Sequence, residues 1–215
     1  MESNKYLEDI SEIKNMMSRS SRFISLSGLS GILAGIYALI GAWLANRQIN
    51  IYQVSVDAHS GSAKAGYYEL GGSLDLITQL LIIAAAVIIA ATGTGIILTM
   101  RKSKKSGEKM WDVSSKRLIY NFLIPLFAGG GFCLVLVQFG YYGLVAPATL
   151  IFYGLACVNA SKYTLGDVRY LGIANIIIGL VATQFIGYGL YFWALGFGVF
   201  HIIYGGLMYM KHERQ

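Results

Sequence analysis

The chain has 215 residues, of which 55% are apolar and only 13% carry a charge, and its mean hydropathy is +0.56. Soluble domains carry about 25% charged residues, so this composition excludes an ordinary soluble globular protein. The low content of proline and of charge likewise excludes a disordered chain. We therefore predict an all-α integral membrane protein with one transmembrane domain, residues 23–211, that lies in the lipid bilayer.

Residues 1–22 precede the first apolar segment and carry four acidic and four basic side chains. Apolar residues recur there at helical spacing, at Tyr6, Ile10, Ile13 and Met17. This pattern predicts an amphipathic helix on the cytoplasmic surface rather than a cleavable signal.

Stretches that lack Asp, Glu, Lys and Arg mark the membrane spans. Residues 23–46 and 76–100 form stretches of 24 and 25 residues, and each fits one helix, because about 20 residues cross a hydrocarbon core of ~30 Å. Residues 118–161 and 170–210 form stretches of 44 and 41 residues, about twice the length of one span. Both are therefore expected to fold back, which makes a six-transmembrane-helix bundle.

The two reversals are predicted at glycine-containing turns, residues 139–143 and 187–189. The six helices then form three helical hairpins. The predicted spans are about 23–46, 76–100, 118–138, 144–161, 170–187 and 190–210.

Two connections are longer than these turns. The loop at 47–75 is expected to form an external cap, in which residues 49–56 have a strand-like composition. The loop at 101–117 is basic and is expected in the cytoplasm. Asp57, His59 and Glu69 of the external loop match no metal-site spacing, so neither a metal nor a cofactor is expected.

The distribution of basic residues predicts the orientation. With six spans, 15 of the 17 Lys and Arg residues fall on the side that holds both termini, and only Arg47 and Lys64 fall on the other. Because basic loops stay in the cytoplasm, both termini are predicted to be cytoplasmic. The same topology accounts for the net charge of +6 without a nucleic-acid partner.

Two features predict further contacts. The basic side chains of the 101–117 loop could bind anionic lipid headgroups. Gly31 and Gly35 form a small-xxx-small pattern that lets two helices approach closely. That approach could occur within the bundle or at the interface of a homo-oligomer.

Charged side chains are absent from the interior of every predicted span. Ion-coupled carriers need such groups, so transport by a carboxylate relay is not expected. His201 lies near the middle of the sixth span, where a histidine needs a hydrogen-bond partner. It either ties helices together or forms the polar centre of a ligand site. The candidate ligand-binding residues are His201, Asn121, Thr149, Asn175 and Gln184.

A helix break is predicted in the third and fourth spans, at Pro125, Gly129, Gly130, Gly131 and Pro147. Proline removes a backbone hydrogen bond and glycine weakens a helix. Such a break is either a simple kink or, as in transporters, the border of a buried binding site.

A remote alternative is an intramembrane hydrolase. Residues 28–31 (GLSG) resemble the GxSG motif of rhomboid proteases, which also place a histidine in a sixth span. The motif here lies in the first helix rather than the fourth, and no oxyanion site can be identified. The protein is therefore not expected to be an enzyme, and this alternative requires Ser30 to meet His201.

Three segments carry a resemblance to a known family. Residues 22–31 (RFISLSGLSG), 159–172 (NASKYTLGDVRYLG) and 201–205 (HIIYG) resemble a family of small, uncharacterised six-helix membrane proteins of Bacteroidota. The resemblance implies a bacterial inner membrane and no particular activity. The glycine-punctuated hairpins are also similar in architecture to HdeD-like membrane proteins.

The leading hypothesis is a non-enzymatic membrane protein that binds or passes a small neutral or lipid-like ligand. The site would lie among the third to sixth helices, with His201 at its centre. The alternative is a structural or sensory subunit that acts through a protein partner.

Overall fold

The computed structural model describes residues 27–60, 74–106, 112–164 and 166–212. The amphipathic helix predicted at 1–22 lies outside these residues. The described residues form helices and no β-strand element. The helices are α1 (Gly28–Ser60), α2 (Leu74–Ser106), α3 (Val113–Gln138), α4 (Val145–Ala160), α5 (Val168–Ala182), α6 (Gly189–Trp193) and α7 (Phe200–His212), with short 3-10 turns at Tyr142–Leu144 and Ser161–Tyr163 on either side of α4.

Five helical segments are long and apolar enough to cross a membrane. α5 is also apolar but has only 15 residues, about 22 Å of helix, against a hydrocarbon core of ~30 Å. These lengths and compositions are those of a multi-pass α-helical membrane protein. The five segments are Gly28–Val54, Asp75–Lys105, Val113–Gln138, Tyr142–Tyr163 and Gly189–Lys211.

The strand expected at residues 49–56 is wrong, because α1 continues through them to Ser60. β-branched residues such as Ile49 and Val54 lower the helix propensity only slightly. A helix that leaves the membrane can therefore continue through such residues, since it satisfies its backbone groups within its own segment.

The chain turns after α3 at Gly140, which has a φ of +77°. The N–H of Gly140 donates to the Val137 carbonyl at 3.1 Å, and the N–H of Tyr141 donates to the Leu136 carbonyl at 2.8 Å. These two bonds form a Schellman motif, which needs a glycine-like φ at this position. A second such glycine, Gly187 with a φ of +105°, precedes α6. Both glycines lie in the turns that the sequence predicts.

Glycine contacts bring the backbones of α1 and α7 together. A Cβ added to Gly205 of α7 would lie 2.5 Å from the Ile32 nitrogen and 2.6 Å from the Gly28 carbonyl oxygen. Gly31 and Gly35 of α1 face α7 as well, and a Cβ added to Gly35 would lie 2.6 Å from the Gly198 oxygen of the segment before it. The small-xxx-small pair is thus occupied within the chain. A homo-oligomer through it stays a prediction, and it would have to displace the last span.

A similar contact joins α4 and α5. A Cβ added to Gly154 would lie 2.5 Å from the Gly172 carbonyl oxygen, and one added to Gly172 would lie 2.7 Å from the Gly154 oxygen. As a result α5 packs along α4 and α7 packs along α1, whereas α5 and α7 contact each other little. A groove remains between α5 and α7.

The helix is not interrupted in the third span, because α3 continues through Pro125 and through Gly129, Gly130 and Gly131, and the alternative of a simple kink stays a prediction. Pro125 has no N–H and so removes the helical donor of the carbonyl four residues earlier. That carbonyl belongs to Asn121, and it accepts a hydrogen bond of 2.9 Å from the Nδ2 of Asn159 on α4. A side chain of the neighbouring helix thus replaces the bond that proline removes.

Pro147 does not break a helix either. It is the third residue of α4, and the first N–H groups of a helix lack a partner within the helix in any case. Pro147 is therefore compatible with the first turn. With 16 residues, α4 is a short helix.

We expect Asn159→Ala to lower the free energy of unfolding by about 1–2 kcal/mol, because it leaves the Asn121 carbonyl without a donor in the membrane. In a Pro125→Ala background the restored N–H supplies that donor, and the cost should fall below about 0.5 kcal/mol. Equilibrium unfolding in mixed detergent micelles measures both. An equal cost in the two backgrounds would contradict this compensation.

We expect Gly205→Ala to lower the free energy of unfolding by about 1–3 kcal/mol, because its Cβ meets backbone atoms that cannot rotate away. Gly206→Ala is the matched control, since no atom lies within 4 Å of a Cβ at that position. The control should be neutral or slightly stabilising. The same unfolding measurement compares the pair, and equal effects would show that the glycine contact does not hold α1 to α7.

Candidate functional site

His201 forms the centre of a buried polar cluster. Its side chain is 7% exposed, its Nδ1 lies 3.0 Å from the Gly196 carbonyl oxygen, and its Nε2 lies 2.7 Å from the Tyr153 hydroxyl. A carbonyl can only accept, so Nδ1 carries the proton and donates it. Nε2 then accepts from the Tyr153 hydroxyl. Both ring nitrogens of a neutral imidazole are therefore bonded within the chain.

Aromatic rings surround this cluster. The Tyr153 ring centroid lies 4.9 Å from that of Phe197, and Phe122 of α3 meets Tyr153 edge-on at 5.9 Å. Phe197 also stacks on His201 at 5.9 Å and contacts Trp193 at 5.0 Å. Such ring pairs stabilise beyond the area they bury, so the cluster ties α3, α4 and the last span together.

The last span changes its helical form beside this cluster. A π-helical segment, Ala194–Val199, lies between α6 and α7 without interruption. It contains Gly196, where an added Cβ would lie 2.6 Å from the Oδ1 of Asn175. π-helical turns are rare and often lie at functional sites. Here the segment presents the Gly196 carbonyl to His201 and leaves room for Asn175.

Asn175 is fully buried on α5. Its Nδ2 donates to the Leu171 carbonyl at 2.9 Å, whereas its Oδ1 has no hydrogen-bond partner among the described residues. An unpaired buried amide oxygen is costly. The Oδ1 of Asn175 can thus accept from a further donor, but Asn175 lines neither the groove between α5 and α7 nor the cavity that Thr149 lines.

The other predicted site residues do not gather around His201. Asn121 donates from Nδ2 to the Arg117 carbonyl at 2.8 Å and accepts from Asn159, as described above. The Nε2 of exposed Gln184 donates to the Thr183 hydroxyl at 3.1 Å. Thr149 lines a separate cavity, and its hydroxyl donates to the Ala146 carbonyl at 2.7 Å.

That cavity lies at the end of the bundle that holds the turns before α4 and α6. Its volume is about 300 Å³, at the lower end of the ~300–1,000 Å³ typical of small-molecule sites. Its walls are mostly apolar, and the lining side chains that carry a polar atom are Tyr142, Thr149 and Trp193. They come from α1 and α2 on one side and from α4 and α6 on the other, and include Gly41, Ala45, Leu80, Ala146 and Trp193.

Among the residues predicted for the site, only Thr149 lines this cavity, and its apolar walls are not predicted. The available signal was the small residues Gly41, Ala42 and Ala45 on one part of α1. Small residues keep this part of the α1 surface low, although the Val87 side chain of α2 fills the space directly over Gly41. The ring of Trp193 connects the two features, because it lines the cavity and contacts Phe197 of the histidine cluster.

The hydrolase alternative gains no support. The Ser30 hydroxyl donates to the Ser27 carbonyl at 2.6 Å, and both nitrogens of His201 have other partners. The described residues also contain no group of His, Cys, Asp and Glu side chains that could hold a metal ion. The side chains of Asp57, His59 and Glu69 lie outside the described part of the chain.

Comparison with protein-family models, with curated proteins and with solved structures finds no match to this chain. The resemblance to the Bacteroidota family and the likeness to HdeD-like proteins therefore stay predictions.

Proposed function

We propose that the protein is a non-enzymatic membrane protein that binds or passes a small neutral or lipid-like ligand, and that the ligand occupies the apolar cavity around Trp193. The observation that carries this proposal is the cavity of about 300 Å³, whose walls are mostly apolar. Such walls favour an apolar ligand because binding buries its apolar surface. Few polar groups are present to distinguish one apolar ligand from another.

This proposal moves the site away from His201. The imidazole has no free hydrogen-bonding atom and is buried, so it ties α4 to the last span instead of contacting a ligand. A ligand in the cavity would still be linked to the His201 cluster, because it would contact Trp193, whose ring contacts Phe197. The ligand class stays the neutral or lipid-like one that the absence of charge in the spans predicts.

We further propose six transmembrane crossings as three hairpins, with both termini in the cytoplasm of a bacterium whose inner membrane holds the protein. The crossing added to the five long segments is α5, the fifth in chain order, which is short but packs along α4. The distribution of Lys and Arg supports this orientation, with 15 of 17 on one side.

A second candidate function is a structural or sensory subunit. It is favoured by α2, which packs mainly on α1 and has no fully buried residue in its most apolar stretch. A partner helix could cover this face in place of lipid, with association driven by packing.

The proposed orientation predicts which introduced cysteines react with a reagent that cannot cross the membrane. In a Cys133→Ala and Cys157→Ala background, we expect a membrane-impermeant maleimide to label Lys64→Cys on intact cells. Lys104→Cys should react only after the cells are broken. The reverse pattern would overturn the orientation.

The cavity predicts saturable binding beside Trp193. With Trp43→Phe and Trp111→Phe as background, we expect a brominated medium-chain alcohol to quench Trp193 fluorescence with a saturable component. Ala146→Phe places a ring in the cavity and should weaken this binding at least about tenfold, equivalent to ~1.4 kcal/mol. The matched control is Ala85→Phe on an exposed face of α2, which should bind as before.

Quenching that rises linearly in all three proteins would mean that the alcohol only dissolves in the surrounding lipid, and it would overturn the cavity proposal. Native mass spectrometry from nanodiscs separates the two candidate functions. A discrete small-molecule mass, lost in Ala146→Phe, supports the ligand site. A bare protein in a stoichiometric complex with another polypeptide supports the subunit.

A further inference from the structure

The groove between α5 and α7 is separate from the proposed ligand cavity, and the two share no lining residue. It has a volume of about 750 Å³. It exists because α5 is held to α4 and α7 is held to α1 by their glycine contacts, which leaves the facing sides of α5 and α7 apart.

The walls of the groove are apolar over most of its length. Phe200 and Ile203 line it from α7, and Tyr170 and Ala174 line it from α5. The stretch from Phe200 to Lys211 measures about 16 Å along the helix, which is about half of the ~30 Å hydrocarbon core. This length matches one acyl chain of a single leaflet.

One end of the groove carries two opposite charges. The Lys211 Nζ lies 3.0 Å from the Asp167 Oδ2 and 3.3 Å from its Oδ1. The two side chains are 64% and 36% exposed, so they lie where a headgroup would meet water. Asp167 precedes α5 but makes no capping bond to that helix. Its carboxylate is therefore available to a second cation.

From this arrangement we propose that the groove binds one zwitterionic phospholipid with a primary amine, of the phosphatidylethanolamine class. The acyl chain lies along the apolar walls, the headgroup ammonium bonds the Asp167 carboxylate, and the phosphate bonds the Lys211 ammonium. An exposed ion pair contributes little stability by itself, so separating Asp167 from Lys211 costs little. The lipid headgroup replaces this one contact with two charge-assisted hydrogen bonds.

The adjacent charges distinguish this lipid from its neighbours in a membrane. Phosphatidylglycerol offers a phosphate to Lys211 but no cation to Asp167. Phosphatidylcholine has a cation that cannot donate a hydrogen bond to the carboxylate. The site therefore selects the primary amine through Asp167 and the phosphate through Lys211.

Native mass spectrometry of the full chain, released from nanodiscs that hold equal amounts of the three phospholipids, tests this proposal. We expect the first retained lipid to be phosphatidylethanolamine, preferred at least fivefold over the other two. Asp167→Asn should remove the preference over phosphatidylcholine, so that the two lipids are retained about equally. Lys211→Gln should weaken retention of all three lipids.

Lys162→Gln is the matched control, because it removes an exposed base at the same end of the bundle that does not line the groove. It should leave the preference unchanged.

Ala174→Phe fills the groove without altering a charge and should remove the first lipid altogether. A thermal melt of each variant verifies its fold. Equal retention of the three phospholipids, a preference for phosphatidylglycerol, or an unchanged preference in Asp167→Asn would overturn the proposal. Because the cavity assay uses Trp193 and a different set of residues, either proposal can fail without the other.

Discussion

Direct contact between helix backbones at glycines is the constraint on which the rest of this structure depends. Inside lipid the hydrophobic effect does not drive helices together, so close packing must do so. Gly28 and Gly205 join α1 to α7, and Gly154 and Gly172 join α4 to α5. The Trp193 cavity and the groove beside Lys211 lie where these pairs leave neighbouring helices apart.

The buried polar groups complete a bundle that the glycines have already arranged. Asn159 supplies the donor that Pro125 removes from α3, and Tyr153 supplies a donor to His201. Both side chains lie on α4, so this short helix satisfies polar groups of α3 and of the last span at once. An unpaired carbonyl or imidazole nitrogen would be costly in lipid, so these hydrogen bonds stabilise the bundle.

The sequence predicts the helices better than their partners. Charge-free stretches locate the spans and glycines mark both turns, because span length and left-handed φ are local properties. The partner of Gly31 is not local: the same small-xxx-small pattern suits a neighbour in the chain or a second copy. The break at Pro125 was likewise predicted from α3 alone, whereas its outcome depends on Asn159, which lies 38 positions from Asn121. Of the residues that line the cavity, the sequence analysis names only Thr149 as a site residue, because the rest are mostly apolar.

The aromatic residues of the last span connect the cavity with the buried cluster. Trp193, Phe197 and His201 follow one another at intervals of four, and their rings lie 5.0 and 5.9 Å apart. Side chains at this interval share one face of a helix, so the spacing alone predicts a ladder of rings. An occupant of the cavity that moves Trp193 must also shift Phe197, which packs on Tyr153 and on the imidazole. Because the π-helical segment positions the Gly196 carbonyl for His201, a change at Trp193 has a physical route to the contact that joins α4 to α7.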